Sequence, residues 1–347
     1  PPGFRGVSQP RIAPALHSEY PVGGTGRREQ QKNDPGIRTM APRKIGVITV
    51  DRSDWGHLRL LCEAMLCDPL HFDLQLFARE NWWKQCPDPM PRVTEMIRVS
   101  EAGGSPRSVT AALSAAVYAF GIKFDYRRPD ILVILGDRFE MLAATMASLP
   151  FAIPILHLHG GELTAGAFDN QSRMAISKMA HVHCVANPHA ASVLTGMGET
   201  NIFVTGCMAL DRFAQPLLSR YSTASALKLA VSVPWVVVMF HTATLHWQSV
   251  DEQIESLEHV LDEELGQYIY FMPNQDTYAD RILAFIVPRL EGSGRMVDVL
   301  PDRLYCSLLK HAAVLVGNSS ALKIEAPFLG LRTREVTDRQ FGRGTFY

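Results

Sequence analysis

The chain has 347 residues, 47% of them hydrophobic, and a net charge of −1. That length supports two domains with cores of their own, and the near-neutral balance excludes the electrostatic footprint of a nucleic-acid partner. No apolar run reaches the roughly 18 residues a membrane span requires. The best candidate, Val231 to Phe240, is broken by Ser232 and Pro234. The cysteines are Cys62, Cys67, Cys86, Cys184, Cys207 and Cys306, with no C-x-x-C pair and mostly apolar neighbours. They read as reduced core thiols of a cytoplasmic protein, neither a disulfide framework nor a zinc site.

Residues 1–43 are rich in Pro, Gly and Arg and lack periodicity. With no apolar signal core, they read as a disordered leader and not a secretory signal. Met40 directly precedes "APRKIGVITV" and is the expected natural start, which makes the leader non-native, with a transit peptide as the alternative reading. Then "KIGVITV" (44–50) is a β-branched run fit for a buried parallel strand. Helix 56–66, strand 72–78, helix 106–124, strand 130–135, helix 138–149, strand 152–159, helix 171–180, strand 181–186, helix 188–198 and strand 201–206 follow. After a looser stretch near 213–232 the alternation restarts with strand 234–240, helix 251–265, strand 268–272, helix 277–289, strand 295–300, helix 302–311, strand 312–317 and helix 319–329. Alternation of this kind predicts α/β architecture: two doubly wound, Rossmann-like domains, 44–215 and 216–347, facing across a cleft.

In open α/β sheets a ligand sits beyond the C-terminal strand ends. Those ends carry Asp51-Arg52-Ser53-Asp54, Gly136-Asp137-Arg138, His159-Gly160-Gly161-Glu162 and Gly206-Cys207 in the first half. In the second half they carry His241, Pro273-Asn274 and Gly317-Asn318-Ser319-Ser320. One polar cluster is only a cap; repetition across both halves points to a polar ligand. Gly317 to Ser320 would open a helix whose free N–H groups suit a phosphate, although Asn318 or Ser319 would equally serve as an N-cap. Glu325, one to two turns on, could accept from ribose hydroxyls. Arg52, His241, Arg339 and Arg343 could neutralise a diphosphate. No G-x-G-x-x-G follows a strand and no P-loop motif occurs, so neither a dinucleotide cofactor nor a Walker-type site is expected. Asp137, His159, Glu162 and Asp169 form the candidate chemistry side, where neighbouring titratable groups can be driven into acid and base roles. Asp169 is also placed to be the N-cap of helix 170–180, and of His157 and His159 one should face the core.

Together "GDRFE", "HLHGGELTAGAFDNQSRMAISKMAH", "FVTGCMALDR", "FH-TATL", "FMPNQD", "GNSSALKIEAP" and "DRQFGR" resemble the hydrolysing UDP-N-acetylglucosamine 2-epimerases of sialic-acid-type biosynthesis, from about residue 44 to 343. The resemblance implies a GT-B arrangement with a UDP-sugar substrate between the domains, no cofactor and no metal, and a homodimer paired through helices of the first domain. It implies that UDP-GlcNAc, or a close relative such as a UDP-diacetamido-trideoxyhexose, and water become the free 2-epimer (N-acetylmannosamine from UDP-GlcNAc) and UDP, by elimination to a 2-acetamidoglucal and then hydration. By position, Asp137 and Asp169 match acidic catalytic residues, and His159 and Glu162 belong to the same set. Which group takes the C2 proton stays open, with Glu162 a candidate. Arg52, Arg138 and His241 match diphosphate contacts, Ser319 and Ser320 phosphate contacts, Glu325 a ribose contact and Arg339 a nucleotide contact. Arg173, Asn274 and Arg343 join the substrate-binding set.

The chain departs from the pattern at Asn170, at Met174 and at Thr242-Ala243. Residues 79–110 are short for the family, and the chain stops at Tyr347 where relatives continue, so apolar surface is expected to be exposed on both domains. These departures keep a non-catalytic UDP-sugar binder in view. The fold class keeps a GT-B glycosyltransferase in view.

Overall fold

The computed structural model describes residues 41–80, 88, 90–99, 106–163, 169–241, 249–273, 279–290 and 294–337. The expected leader, apart from residues 41–43, lies outside them. The first half runs β1 (Arg43–Thr49), α1 (Arg52–Leu66), β2 (Phe72–Arg79), β3 (Glu95–Ile97), α2 (Pro106–Tyr126), β4 (Ile131–Leu135), α3 (Phe139–Ser148), β5 (Ile155–Leu158), α4 (Asp169–Met179), β6 (Val182–Val185), α5 (Pro188–Gly196) and β7 (Ile202–Val204). The second runs α6 (Arg220–Leu227), β8 (Trp235–Met239), α7 (Val250–Asp262), β9 (Gln267–Phe271), α8 (Ala279–Arg289), β10 (Arg295–Val297), α9 (Asp302–His311), β11 (Val314–Gly317), α10 (Glu325–Leu329) and β12 (Arg332–Glu335).

The strands form two all-parallel sheets, ordered β3-β2-β1-β4-β5-β6-β7 and β10-β9-β8-β11-β12. Helices cover both faces of each, which is why strands such as "ILVIL" and "WVVVM" are continuously apolar. In the first sheet, Ile48, Phe77 and Ile134 pack with Phe120 and Phe124 of α2 and Met141 of α3 on one face. On the other, Val47, Leu76 and Val133 pack against Trp55 and Leu58 of α1. The second sheet likewise has two cores, one around Trp235, Val237 and Leu309, the other around Val238, Tyr270 and Ile282. Strand order reverses between β1 and β4 and between β8 and β11, so each sheet has one switch point, where the connections from these adjacent strands leave in opposite directions.

The expected helix over 319–329 is corrected. The segment is a 3₁₀ turn, Ser320–Leu322, followed by the separate α10. Pro327 lacks the N–H that a continuous helix would donate to the carbonyl of residue 323, and Ser319 uses its side chain to accept from the N–H of Ala321. Three elements absent from the sequence reading are β3, α6 and β12. β12 reads "RTRE" and has no apolar face; as an edge strand it pairs Arg332 and Arg334 with Glu263 and Glu264 after α7. Cys67 is exposed, unlike the core thiols expected, whereas Cys62, Cys207 and Cys306 are buried. No helix among the described residues is long and apolar enough to cross a membrane.

Candidate functional site

At the first switch point, the β1 and β4 ends meet. Asp54 in α1 accepts from the backbone N–H groups of Val50 and Asp51, both at 2.9 Å. Burial pushes its carboxyl up to about 7, against the opposing pull of Arg138 and with further help from Asp51. Arg138, the residue before α3, lies 3.8 Å from Asp51 and 3.4 Å from the buried Glu140. A guanidinium is thus held between the two strand ends, about a third exposed.

Asp137 does not cap α3. Its Oδ2 is ion-paired with Arg173 of α4, whose other Nη donates to the carbonyl of Glu162 at 2.7 Å. Arg173 is only 2% exposed, so one buried side chain ties the end of β4 to the turn after β5. Asp137 keeps 21% of its side chain accessible.

The described start of the turn after β5 is constrained at several points. His157 is fully buried: Nε2 is 2.8 Å from the carbonyl of Gly136 and Nδ1 is 3.0 Å from Ser177 Oγ. A carbonyl only accepts, so Nε2 carries the proton and Nδ1 accepts from the serine. Burial holds this imidazole neutral, lowering it to about 3 despite the Gly136 carbonyl. His157 is therefore the core-facing member of the pair. His159 adopts φ of 61°, a left-handed conformation uncommon for a residue with a side chain, and its N–H donates to the carbonyl of Cys184 at 3.0 Å. Gly161 follows at φ 76°, where a Cβ would stand 2.3 Å from the carbonyl oxygen of Ala190. This backbone presents His159 Nδ1 to Glu162 Oε1 at 2.6 Å. Burial lowers the His159 affinity for a proton, but the Glu162 carboxylate outweighs it and the net direction is upward.

At the second switch point Asn318 is fully buried. Its Oδ1 accepts from the N–H of His241, and its Nδ2 donates to the His241 carbonyl at 2.7 Å and to Thr337 Oγ1 at 3.2 Å. Asn318 thus fixes the backbone at His241 instead of capping a helix. Ser319 and Ser320 follow, both half-buried.

The two halves join at the 3₁₀ segment Met208–Ala214. Ala186, Cys207 and Ala209 form one buried cluster with Ile324, which brings the segment after β7 against the approach to α10. Beside it, Arg212 donates to Asp302 Oδ1 at 3.0 Å and to Glu325 Oε1 at 2.9 Å, and Arg59 of α1 donates to Asp302 Oδ2 at 3.2 Å. Glu325 Oε1 also accepts from Tyr305 at 3.3 Å. Sequence reasoning singled out Glu325 but missed Arg212, Asp302 and Arg59. The signal for Arg212 was its place in "FVTGCMALDR", the motif that runs on from β7 into the Met208–Ala214 segment. The side chains of Arg52 and Asp169, and residues Asn274, Arg339 and Arg343, lie outside the described residues. The α4 backbone begins at Asp169 itself.

The family model described as UDP-N-acetylglucosamine 2-epimerase matches residues 96–345. The chain belongs to the UDP-N-acetylglucosamine 2-epimerase family. Within this family it is 30% identical over 319 residues to the GDP/UDP-N,N′-diacetylbacillosamine 2-epimerase (hydrolyzing) of Campylobacter jejuni, covering 88% of this chain and 83% of that protein. It is 29% identical over 318 residues to the UDP-N,N′-diacetylbacillosamine 2-epimerase (hydrolyzing) of Legionella pneumophila, covering 86% and 82%. The crystal structure of the Neisseria meningitidis UDP-GlcNAc 2-epimerase bound to UDP-GlcNAc has the same fold, with TM-score 0.71 at 12% identity over 86% of this chain and 83% of that one. The epimerase fold is the expected GT-B-like pair of Rossmann-like units.

Proposed function

We propose that the protein is a hydrolysing 2-epimerase of UDP-2-acetamido sugars, converting UDP-GlcNAc, or a close relative such as UDP-N,N′-diacetylbacillosamine, and water to the free 2-epimer and UDP. The observation that carries this reading is the wall at the β4 and β5 ends, where Asp137 is ion-paired to buried Arg173 beside the Glu162–His159 pair. In the first step a base removes the C2 proton. The released electron pair forms the C1–C2 double bond and the C1–O bond breaks, its electrons leaving on UDP. In the second step water adds its hydroxyl to C1, and a proton reaches C2 from the face opposite to the one deprotonated. For UDP-GlcNAc the free product is N-acetylmannosamine.

Asp137 is the proposed base, because it is the more accessible carboxylate of the wall; the Glu162 side chain is only 4% exposed and is engaged by His159. Arg173 acts through Asp137 as a positioning residue. Asp169 and His159 complete the proton-transfer set. Arg52, Arg138 and His241 are the proposed diphosphate contacts, with Ser319, Ser320, Glu325, Asn274, Arg339 and Arg343 on the nucleotide side. In this reading residues 44–215 form the catalytic domain and 216–347 the UDP-binding domain, and the chemistry exchanges only protons and water, with no redox cofactor. The names of the two bacterial relatives support the hydrolysing branch and a diacetamido sugar as an alternative to UDP-GlcNAc.

The test is incubation of the purified chain with each UDP-sugar and no acceptor. The expected result is equimolar UDP and free 2-epimer, with the faster substrate defining the sugar. Consumption only when an acceptor sugar is added would instead identify a glycosyltransferase, and an unchanged UDP-sugar would leave a binding protein.

A further inference from the structure

His57, His159 and Cys207 come from three separate elements: α1, the turn after β5, and the residue preceding the Met208–Ala214 segment. Their ligand atoms all lie within 4.8 Å of one another. The rings of His57 and His159 meet edge to face, with centroids 5.7 Å apart. His159 is 8% exposed and Cys207 5%. No well-directed hydrogen bond reaches the buried Nε2 of His159 among the described residues, and Cys207 is the group beside it. Its other nitrogen, Nδ1, is held by Glu162 at 2.6 Å.

Donors of this kind, this close together, suit a transition-metal ion. Two imidazoles and a thiol select a borderline-soft ion over calcium or magnesium. A carboxylate on the far nitrogen of a histidine fixes the tautomer that leaves Nε2 free to bind metal. Bonds of about 2.0 to 2.3 Å put tetrahedral ligand atoms roughly 3.5 Å apart, so movement of about 1 Å closes the group on an ion. We propose that His57, His159 and Cys207 form a three-ligand site for a divalent transition ion, zinc foremost, with the fourth position left to solvent or substrate. The absence of C-x-x-C spacing hid the site, because its ligands lie 102 and 48 residues apart along the chain. Nε2 cannot hold an ion and a proton together. Resting on the function proposed above, occupancy should therefore suppress turnover, reversibly with a chelator.

The test is cobalt titration of the chelator-treated full chain, followed by absorption spectroscopy. The site predicts one equivalent bound, intense visible bands of a four-coordinate ion and a near-ultraviolet thiolate-to-cobalt band, all abolished by zinc. Cys207→Ser should lose the charge-transfer band, and His57→Gln should weaken binding at least tenfold, while Cys67→Ser, at the exposed thiol, should change neither. Circular dichroism identifies any variant that fails to fold, and the other variant then decides. Absence of the band in the folded wild type, or its persistence in Cys207→Ser, overturns the site. Neither readout depends on turnover, so failure of the epimerase reading is distinguishable.

Discussion

Asp137 and Asp54 show how two carboxyl groups near one sheet end are given different work. Asp137 is partly exposed and ion-paired to Arg173, so Asp137→Asn should lower kcat by about 10²- to 10⁴-fold, the span of a lost general base. UDP affinity, measured by calorimetry, should change little; an active Asn variant would remove Asp137 from the mechanism. Arg173→Lys keeps the charge but cannot hold both Asp137 and the Glu162 carbonyl in a planar fork; its kcat should fall with KM nearly constant. Asp54 is buried, and its folded-state carboxyl at about 7 lies above the ordinary 3.8. The stability linked to its proton is therefore complete below about pH 4 and is lost as pH rises through about 7, by at most about 1.4 kcal/mol per unit. Asp54→Asn keeps an acceptor for both backbone N–H groups and cannot ionise. Urea unfolding should show wild type losing stability relative to this variant across that window; parallel curves would contradict the assignment. The titratable clusters were legible in sequence because they follow strands. Their partners were not, since Arg173 reaches back to Asp137 across 36 residues.

At the scale of elements, the sharpest constraint is where β11 turns towards the second switch point. Gly317 has φ 137°, and a Cβ there would sit 2.0 Å from the carbonyl oxygen of Met239 on β8. Gly317→Ala should cost more than about 2 kcal/mol, because both backbone conformation and strand spacing must yield; a smaller loss in urea unfolding would mean that the β8–β11 approach is soft. α7 begins with a capping box in which Ser249 and Glu252 satisfy each other's backbone N–H groups. Ser249→Ala should cost about 1 kcal/mol. Long elements with apolar periodicity, such as α2 and β4, were readable directly. The segment after β11 was not: Ser319, Ser320 and Ala321 resemble a helix start, while Pro327 eight residues past Ser319 forbids a continuous helix. β12 escaped because ion pairing, not apolar burial, holds one face of an edge strand.

For the whole molecule, the buried Arg59–Asp302–Arg212–Glu325 chain links the α1 side of the first sheet to α9 and α10 of the second. Removing one partner leaves buried charge uncompensated, so Arg212→Ala should lower the unfolding free energy by about 3–5 kcal/mol. A loss under about 1 kcal/mol, the range of a solvated pair, would show that the junction does not depend on it. Two-domain α/β architecture was legible from alternating strands and helices alone. The junction was not, because its charges come from positions 59, 212, 302 and 325 and only folding makes them neighbours. The central claim, elimination followed by hydration at the Asp137–Glu162 wall, is tested most directly by running the reaction on UDP-GlcNAc in D2O and reading the product by proton NMR. The account predicts N-acetylmannosamine with deuterium at C2, released together with UDP. Release of UDP with the C2 proton retained, or N-acetylglucosamine as the free sugar, would contradict it.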